Sequence, residues 1–385
     1  MFHDGIRDIS HASLIRSLFM KMAARWIALL SVLIIVSPPL LADEPDSSNS
    51  FTLVLGGDVM VGRYMGKRLR EHGAGDPFVD IAPLLQRGDL TVVNLESPVS
   101  DADPRVVTRA KNPPRYSVRF RVPTRYAPMM KGYGVDVAVL ANNHAEDCRM
   151  PGIADTTAAL DAAGIAHVGA SATKDPFAPR ILSVKGHKVV VLAVSLFRNM
   201  GKPRPGVHLP VAHKPYSETK NWMPRRIREL RKEHPSALIV ASVHWGGEWK
   251  DRPSGGQVRL GRWLVDAGAN VVMGHHTHVL QPVEAYKDGL ILYCLGNLVF
   301  DIIRADGRRS AVFETAFEQT TKGTWRAQKL VIHPIQLRQL KAGPRPSTTR
   351  EADLVFKPIQ KVSGKRFSTP LVRVNDTLVW ERPTR

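Results

Sequence analysis

Short apolar runs recur along the chain, each broken by glycine or a polar cluster. The clearest are Phe51 to Leu55, Leu90 to Val93, Asp136 to Leu140, Ala237 to Val243, Val271 to Met273 and Leu290 to Leu295. Their lengths suit strands, and near-continuous rather than alternating hydrophobicity marks strands covered on both faces. Between them lie stretches of helical period: Ile153 to Ala163, stopped by Gly164, then Asn221 to His234 and Gln257 to Ala267. A further helix is expected after Gly56-Gly57, reaching about Glu71. His167 to Gly169 reads as a short strand, and Arg115 to Arg121, with its alternating positive charge, as an edge strand. Ile181 to Ser195 reads as a hairpin turning at Gly186-His187. Strands alternating with helices imply an α/β domain containing parallel strands. Beyond Ser310 the pattern becomes hairpin-like. Ala311 to Phe317 and Thr324 to Pro334 flank a turn at Thr320 to Gly323, followed by a helix over Glu351 to Val362 and a final strand, Leu371 to Trp380.

The chemistry sits where the runs stop. Val271-Val272-Met273 ends in Gly274-His275-His276-Thr277-His278. Open α/β sheets place their sites on loops at the C-terminal ends of strands. A turning loop can aim His276 and His278 at one centre, and neutral imidazole is the commonest metal ligand. The bland alternative is a His-rich surface turn. Four other strand ends carry matching groups: Asp58 after Gly56-Gly57, Glu96 in Asn94-Leu95-Glu96, Asn143 and His144 after Leu140, and His244 after Val243. For Asp58 alone, a helix N-cap is the lesser alternative. Together, carboxylates, an amide oxygen and imidazoles suit zinc, manganese or iron better than calcium. A carboxylate able to bridge, such as Glu96, allows two metals. The lone His208 and His213, on a loop rich in proline and basic residues, read as surface residues, and the basic helix around Arg225, Arg226, Arg228, Arg231 and Lys232 as a solvated face.

The N-terminus reads as a targeting segment. Lys21 and Arg25 precede the apolar run Trp26 to Val36, and Leu40-Leu41-Ala42 leads into Asp43-Glu44. This is the pattern of a secretory signal cut after Ala42, with an uncleaved anchor as the alternative. Residues 1–19 look like an extension upstream of a better start at Met20 or Met22. The partition is then 1–42 extension and signal, 43–50 linker, 51–309 main domain and 310–385 strands and helix completing it.

Charge adds one element. The chain carries 54 Lys and Arg against 35 Asp and Glu, a net +19. Four basic and two acidic residues fall within 1–42, so the mature protein would keep +17. Such a surface favours anionic partners, and export argues against nucleic acid. Two cysteines, Cys148 and Cys294, are too few for a disulfide framework, though export would permit one bridge.

At this point the chain resembles the bacterial capsule-synthesis CapA family, the poly-γ-glutamate biosynthesis proteins. The marks are Gly57-Asp58-Val59-Met60, Asn94-Leu95-Glu96, Leu140-Ala141-Asn142-Asn143-His144, His244-Trp245-Gly246-Gly247-Glu248, Gly274-His275-His276-Thr277-His278 and Leu295 to Asp301, in that order. The resemblance implies a calcineurin-like metallophosphatase fold: a four-layer α/β sandwich, two β-sheets face to face flanked by helices. It implies that Asp58 and His278 hold one metal and Asn143, His244 and His276 another, with Glu96 bridging and His144 as the acid for the leaving group. One or two divalent transition ions, Mn, Zn or Fe, would be the cofactor. Met60 stands where the wider superfamily has a histidine, which favours a sparse first site. Cys148-Arg149 departs from the family's loop, and the His-x-His spacing favours His276 over His275. The expected substrate is a phosphoester or an anionic polymer of the cell envelope, periplasmic or at the cell surface, with capsule-synthesis membrane proteins as partners. Two function classes stand open: a metal-dependent phosphoesterase-like hydrolase, and a non-catalytic assembly component that binds polyanion.

Overall fold

The computed structural model describes residues 49–66, 76–102, 120–199, 211–338 and 343–383. The signal-like segment, residues 67–71 of the expected first helix, residues 115–119 of the expected edge strand and His208 lie outside them.

The first half of the fold alternates strands and helices. In order come β1 (Ser50–Val59), α1 (Ala82–Leu85), β2 (Leu90–Leu95), α2 (Ala127–Gly132), β3 (Val137–Val139), α3 (Arg149–Ala162) and β4 (Ala166–Val168). The hairpin β5 (Arg180–Val184) and β6 (His187–Ser195) follows, then α4 (Tyr216–Glu233), β7 (Leu238–His244), α5 (Gly255–Asp266) and β8 (Val271–His275). The chain closes with β9 (Val283–Tyr286), β10 (Gly289–Leu292), β11 (Asn297–Val299), β12 (Arg309–Gln319), β13 (Trp325–Gln336), β14 (Arg345–Pro346), α6 (Thr349–Phe367), β15 (Val372–Val374) and β16 (Thr377–Glu381).

These strands form two sheets. One runs β15-β16-β13-β12-β1-β2-β3-β4, with β11 beside β1 and β14 beside β13; the other runs β5-β6-β7-β8-β10-β9. Three apolar layers show how they stack. Phe51, Leu53, Leu55 and Val92 meet Val189, Val191, Val240, Val271 and Met273 between the sheets. The alternate residues face outward: Val54, Val93 and Leu95 under Met130, Ile153 and Leu160, and Val190, Leu192 and Ile239 under Ile227, Leu230 and Leu264. Each central strand is therefore buried on both faces, and period-two alternation divides its side chains between two cores. The result is the expected four-layer sandwich. The parallel strands β1, β2 and β3, and β6, β7 and β8, are in register, so their C-terminal ends line up.

Three expectations need correction. The last strand is a hairpin, with Asn375 at φ 52 in its turn, because Asn375-Asp376 breaks the run. His213 is half-buried rather than on the surface, and burial holds its pKa below the usual histidine value. Arg231 is half-buried rather than solvated: its guanidinium donates to the carbonyls of Pro235 and Ala237 at 2.8 and 2.7 Å, to Gly268 at 2.8 Å and to Asn270 Oδ1 at 2.8 Å. Cys148 and Cys294 are both buried, and no disulfide joins them.

Candidate metal centre

The line of strand ends brings the predicted residues into one pocket. Asp58 closes β1 beside Asn94 of β2, and His244 at the end of β7 pairs in register with His275 of β8. Two glycines let backbones approach there. A Cβ on Gly57 would lie 2.1 Å from the Gly296 carbonyl oxygen, and one on Gly274 would lie 2.0 Å from that of Tyr293. No side chain fits at either position. After β8 the loop is strained, with His276 at φ 93 and His278 at φ 57. Non-glycine residues are rare in that region, and such outliers persist where the surroundings over-determine them.

Two donor sets result. Glu96, His244 and His276 can offer atoms within 4.8 Å of one another, and so can Asp58, Glu96 and His278. Glu96 belongs to both. In the first set His244 Nε2 stands 2.8 Å from Asn143 Oδ1, 3.1 Å from His276 Nδ1 and 3.7 Å from Glu96 Oε1. In the second, His278 Nδ1 is 3.3 Å from Asp58 Oδ2, and His278 Nε2 is 3.9 Å from Glu96 Oε1. All these side chains are buried. The structure thus brings Asp58, Glu96, Asn143, His244, His276 and His278 together.

The donor chemistry fits a cation. Among the described residues, both oxygens of buried Glu96 lack a hydrogen-bond partner, as do His244 Nδ1 and His275 Nε2. Buried polar groups are nearly always partnered, so a carboxylate with none needs an explanation. Burial, then the charge of Asp58, pushes the Glu96 carboxyl well above its ordinary range. Burial, reinforced by the neighbouring His276, holds His244 well below the usual histidine value. Burial, then His278, brings His276 down to about 4. Imidazoles kept neutral present lone pairs, and a cation would compensate the stranded Glu96. Asp58 is the exception: burial disfavours its charge, but His275 and His278 together hold it well below the usual carboxylate range.

Around this centre stand groups that sequence reasoning left out of the site. Asn94 Nδ2 donates to Asp58 Oδ1 at 2.8 Å, His275 Nδ1 meets the same oxygen at 3.0 Å, and Asn297 Oδ1 sits 3.0 Å from His278 Nδ1. These orient the donors, as partners of metal ligands usually do. Asn94 and Asn297 lie at strand ends, so the signal that found Glu96 could have found them. Asp147 Oδ2 lies 2.8 Å from His144 Nδ1, and Phe120 stacks on the His144 ring at 3.9 Å. Phe197 lies against His276 at 4.3 Å, and nothing in its sequence context marks it. Asn143 Nδ2 donates to Asn199 Oδ1 at 3.1 Å, which leaves the Asn143 oxygen facing His244.

The family model for bacterial capsule synthesis protein PGA_cap matches residues 52–302. The capsule biosynthesis protein CapA of Bacillus anthracis is 28% identical over 327 residues, spanning 83% of this chain and 75% of that protein. The PGA biosynthesis protein CapA of Bacillus subtilis is 30% identical over 285 residues, spanning 72% and 70% respectively. Among solved structures, the Haemophilus influenzae NAD nucleotidase NadN aligns with a TM-score of 0.40 and 9% identity. That alignment spans 83% of this chain and 56% of the nucleotidase.

Proposed function

The chain belongs to the PGA_cap family of bacterial capsule synthesis proteins, and from that premise we propose that it is an exported envelope protein with a divalent transition-metal centre, hydrolysing a phosphoester-type bond in a capsule-related substrate. The observation that carries the reading is Glu96. Its carboxylate is buried, has no hydrogen-bond partner among the described residues and is shared between two donor sets that include His244, His276, His278 and Asp58.

Asp58, Glu96 and His278 would hold one ion, and Glu96, Asn143, His244 and His276 a second. Such an ion would polarise a phosphoryl oxygen as a Lewis acid. The chain's own residues do the rest. Asp58 stays ionised, and Asn94 and His275 keep its oxygens aimed. Asp147 fixes the His144 ring through Nδ1, which leaves Nε2 to hand a proton to the leaving oxygen. Phe120 and Phe197 cover the His144 and His276 rings and limit water at the site. Residues 1–42 direct export, 43–50 form a linker, and 51–309 with 310–385 make up the catalytic domain. Anionic envelope polymer and capsule-synthesis membrane proteins are its partners.

The test is elemental analysis of the purified mature protein beside a screen of phosphomonoesters and phosphodiesters. Metal with turnover is the expected result. Absence of metal would sink the centre, and metal without hydrolysis of any ester would leave a polyanion-binding assembly component.

A further inference from the structure

Arg63 stands where the chain leaves β1, just beyond Asp58. Its backbone is left-handed, at φ 47, a strained setting for a residue with a long side chain. Buried Asp301 holds the guanidinium: Nε donates to Oδ1 at 2.9 Å, and Nη2 donates to the Asp301 carbonyl at 3.1 Å and to Oδ1. The other carboxylate oxygen accepts from the Tyr64 amide at 2.9 Å. Asp301 is thus fully committed, and its side chain is 0% exposed against 30% for Arg63.

The guanidinium also lies over two rings, 5.2 Å from the centre of Phe120 and 5.6 Å from that of Phe300. Phe120 stacks on His144, and Phe300 lies 5.0 Å from the His278 ring. One aromatic ring therefore separates Arg63 from the proton donor, and another separates it from a candidate ligand. A purely structural clamp uses Nε and Nη2, which Asp301 and its carbonyl occupy. Among the described residues Nη1 has no acceptor. A half-covered guanidinium held rigidly on aromatic faces, with one donor edge spare, is pre-organised for an oxyanion. Local strain at such a position points the same way.

We propose that Arg63 is the anion-recognition residue of this pocket, binding a carboxylate or phosphate oxygen of the substrate away from the reacting bond. It gives the site a preference for acidic substrates and sets which bond lies beside His144. The inference rests on the proposed function only for where that bond lies; capture of the anion does not require turnover.

The test is calorimetric titration of the full-length protein with inorganic phosphate and, separately, with glutarate. Metal content is measured on the same samples. Arg63→Gln alone would strand the buried Asp301 charge, so the informative variant is Arg63→Gln with Asp301→Asn. Arg63→Lys, which keeps the ion pair but loses the planar edge, is a second and gentler probe. The double variant and Arg63→Lys both keep the net charge, and Lys322→Gln, on the exposed β12–β13 turn, shows what loss of one distant positive charge does to binding. A hydrogen bond to a charged group predicts about ten- to a hundredfold weaker binding of at least one probe in the double variant. Arg63→Lys should fall between, and Lys322→Gln should match the parent, with metal content unchanged throughout. Preference for phosphate or glutarate then identifies the group bound. Parental affinity in the double variant and in Arg63→Lys, or no binding of either probe by the parent, overturns the proposal. Failure of the metal centre would show separately, as absent metal in the parent.

Discussion

At the scale of single residues, the centre is built by taking charged and polar groups out of water and leaving one of them unmatched. Burial favours the neutral form of His244 and His276, while Glu96 has no hydrogen-bond partner among the described residues. His244→Ala or His276→Ala is expected to lower metal affinity at least about 10–100-fold, the range seen even when only a residue orienting a ligand is lost. Elemental analysis after dialysis reads this directly, and full occupancy in both variants would remove these residues from the centre. His144 has the proposed part of proton donor, its ring fixed by Asp147 and Phe120. His144→Ala should keep its metal and lose about 10²–10⁴-fold in ester turnover. Equal turnover in parent and variant would take the proton-donor role away from it.

At the scale of elements, two contacts between secondary structures carry predictions. Arg231, near the C-terminal end of α4, ties that end to the loops leading into β7 and β8 through four carbonyl and amide oxygens. Arg231→Ala strands those acceptors. It should cost roughly 2–4 kcal/mol in urea unfolding, whereas exposed Arg225→Ala should cost under about 0.5 kcal/mol. Similar values for the two would mean that the clip is ornamental. Glu314 joins β12 to β13 by accepting from His333 Nε2 at 2.9 Å, and it reaches Arg87 Nε at 2.6 Å. The His333 hydrogen bond, with Arg87 helping, lowers the Glu314 pKa from 4.5 to about 2. A folded-state value below the unfolded one means that the stabilisation is whole above pH 4.5 and lost as pH falls through about 2. Arg87 is half exposed, so solvent screening limits the effect to about 1 kcal/mol. Glu314→Gln should therefore be less stable than the parent at neutral pH and converge with it in acid. A constant difference across denaturation curves over that window would refute the linkage.

At the scale of the whole molecule, the net +19 charge belongs to association rather than to fold. Binding to an anionic polymer such as polyglutamate should weaken steeply with salt, because the Debye length shrinks from about 10 Å at 0.1 M to about 3 Å at 1 M. Pull-down across a salt series measures it; salt-independent binding would point to pocket contacts instead. No described helix is long and apolar enough to cross a membrane. Export with cleavage near Ala42 is read by mass spectrometry of the mature N-terminus, and a protein beginning at Met1 in the cytosol would exclude it.

How much of this is legible in the chain follows from the range of each interaction. Strand β8 and the ligands just past it can be read locally, because burial on both faces demands an unbroken apolar run and the site begins where the run ends. The same logic finds Asp58, Glu96, Asn143 and His244. Helix α4 starts at Tyr216 rather than at the expected Asn221, and it contains Pro224. Packing of Thr219, Met223 and Ile227 carries the helix through that proline. The split of β15 from β16 is visible in Asn375-Asp376 and masked by the apolar pattern around it. Other features have no local signal. The contacts of Phe120 and Asp147 with His144, and of Phe197 with His276, depend on where distant segments are brought. Sequence by itself determined the strands, their order of chemistry and the donor types, since these follow from hydrophobic period and side-chain identity. Only the tertiary structure decided which donors stand beside Glu96 and that Arg231 is half-buried, because both depend on which strand ends and loops become neighbours in space.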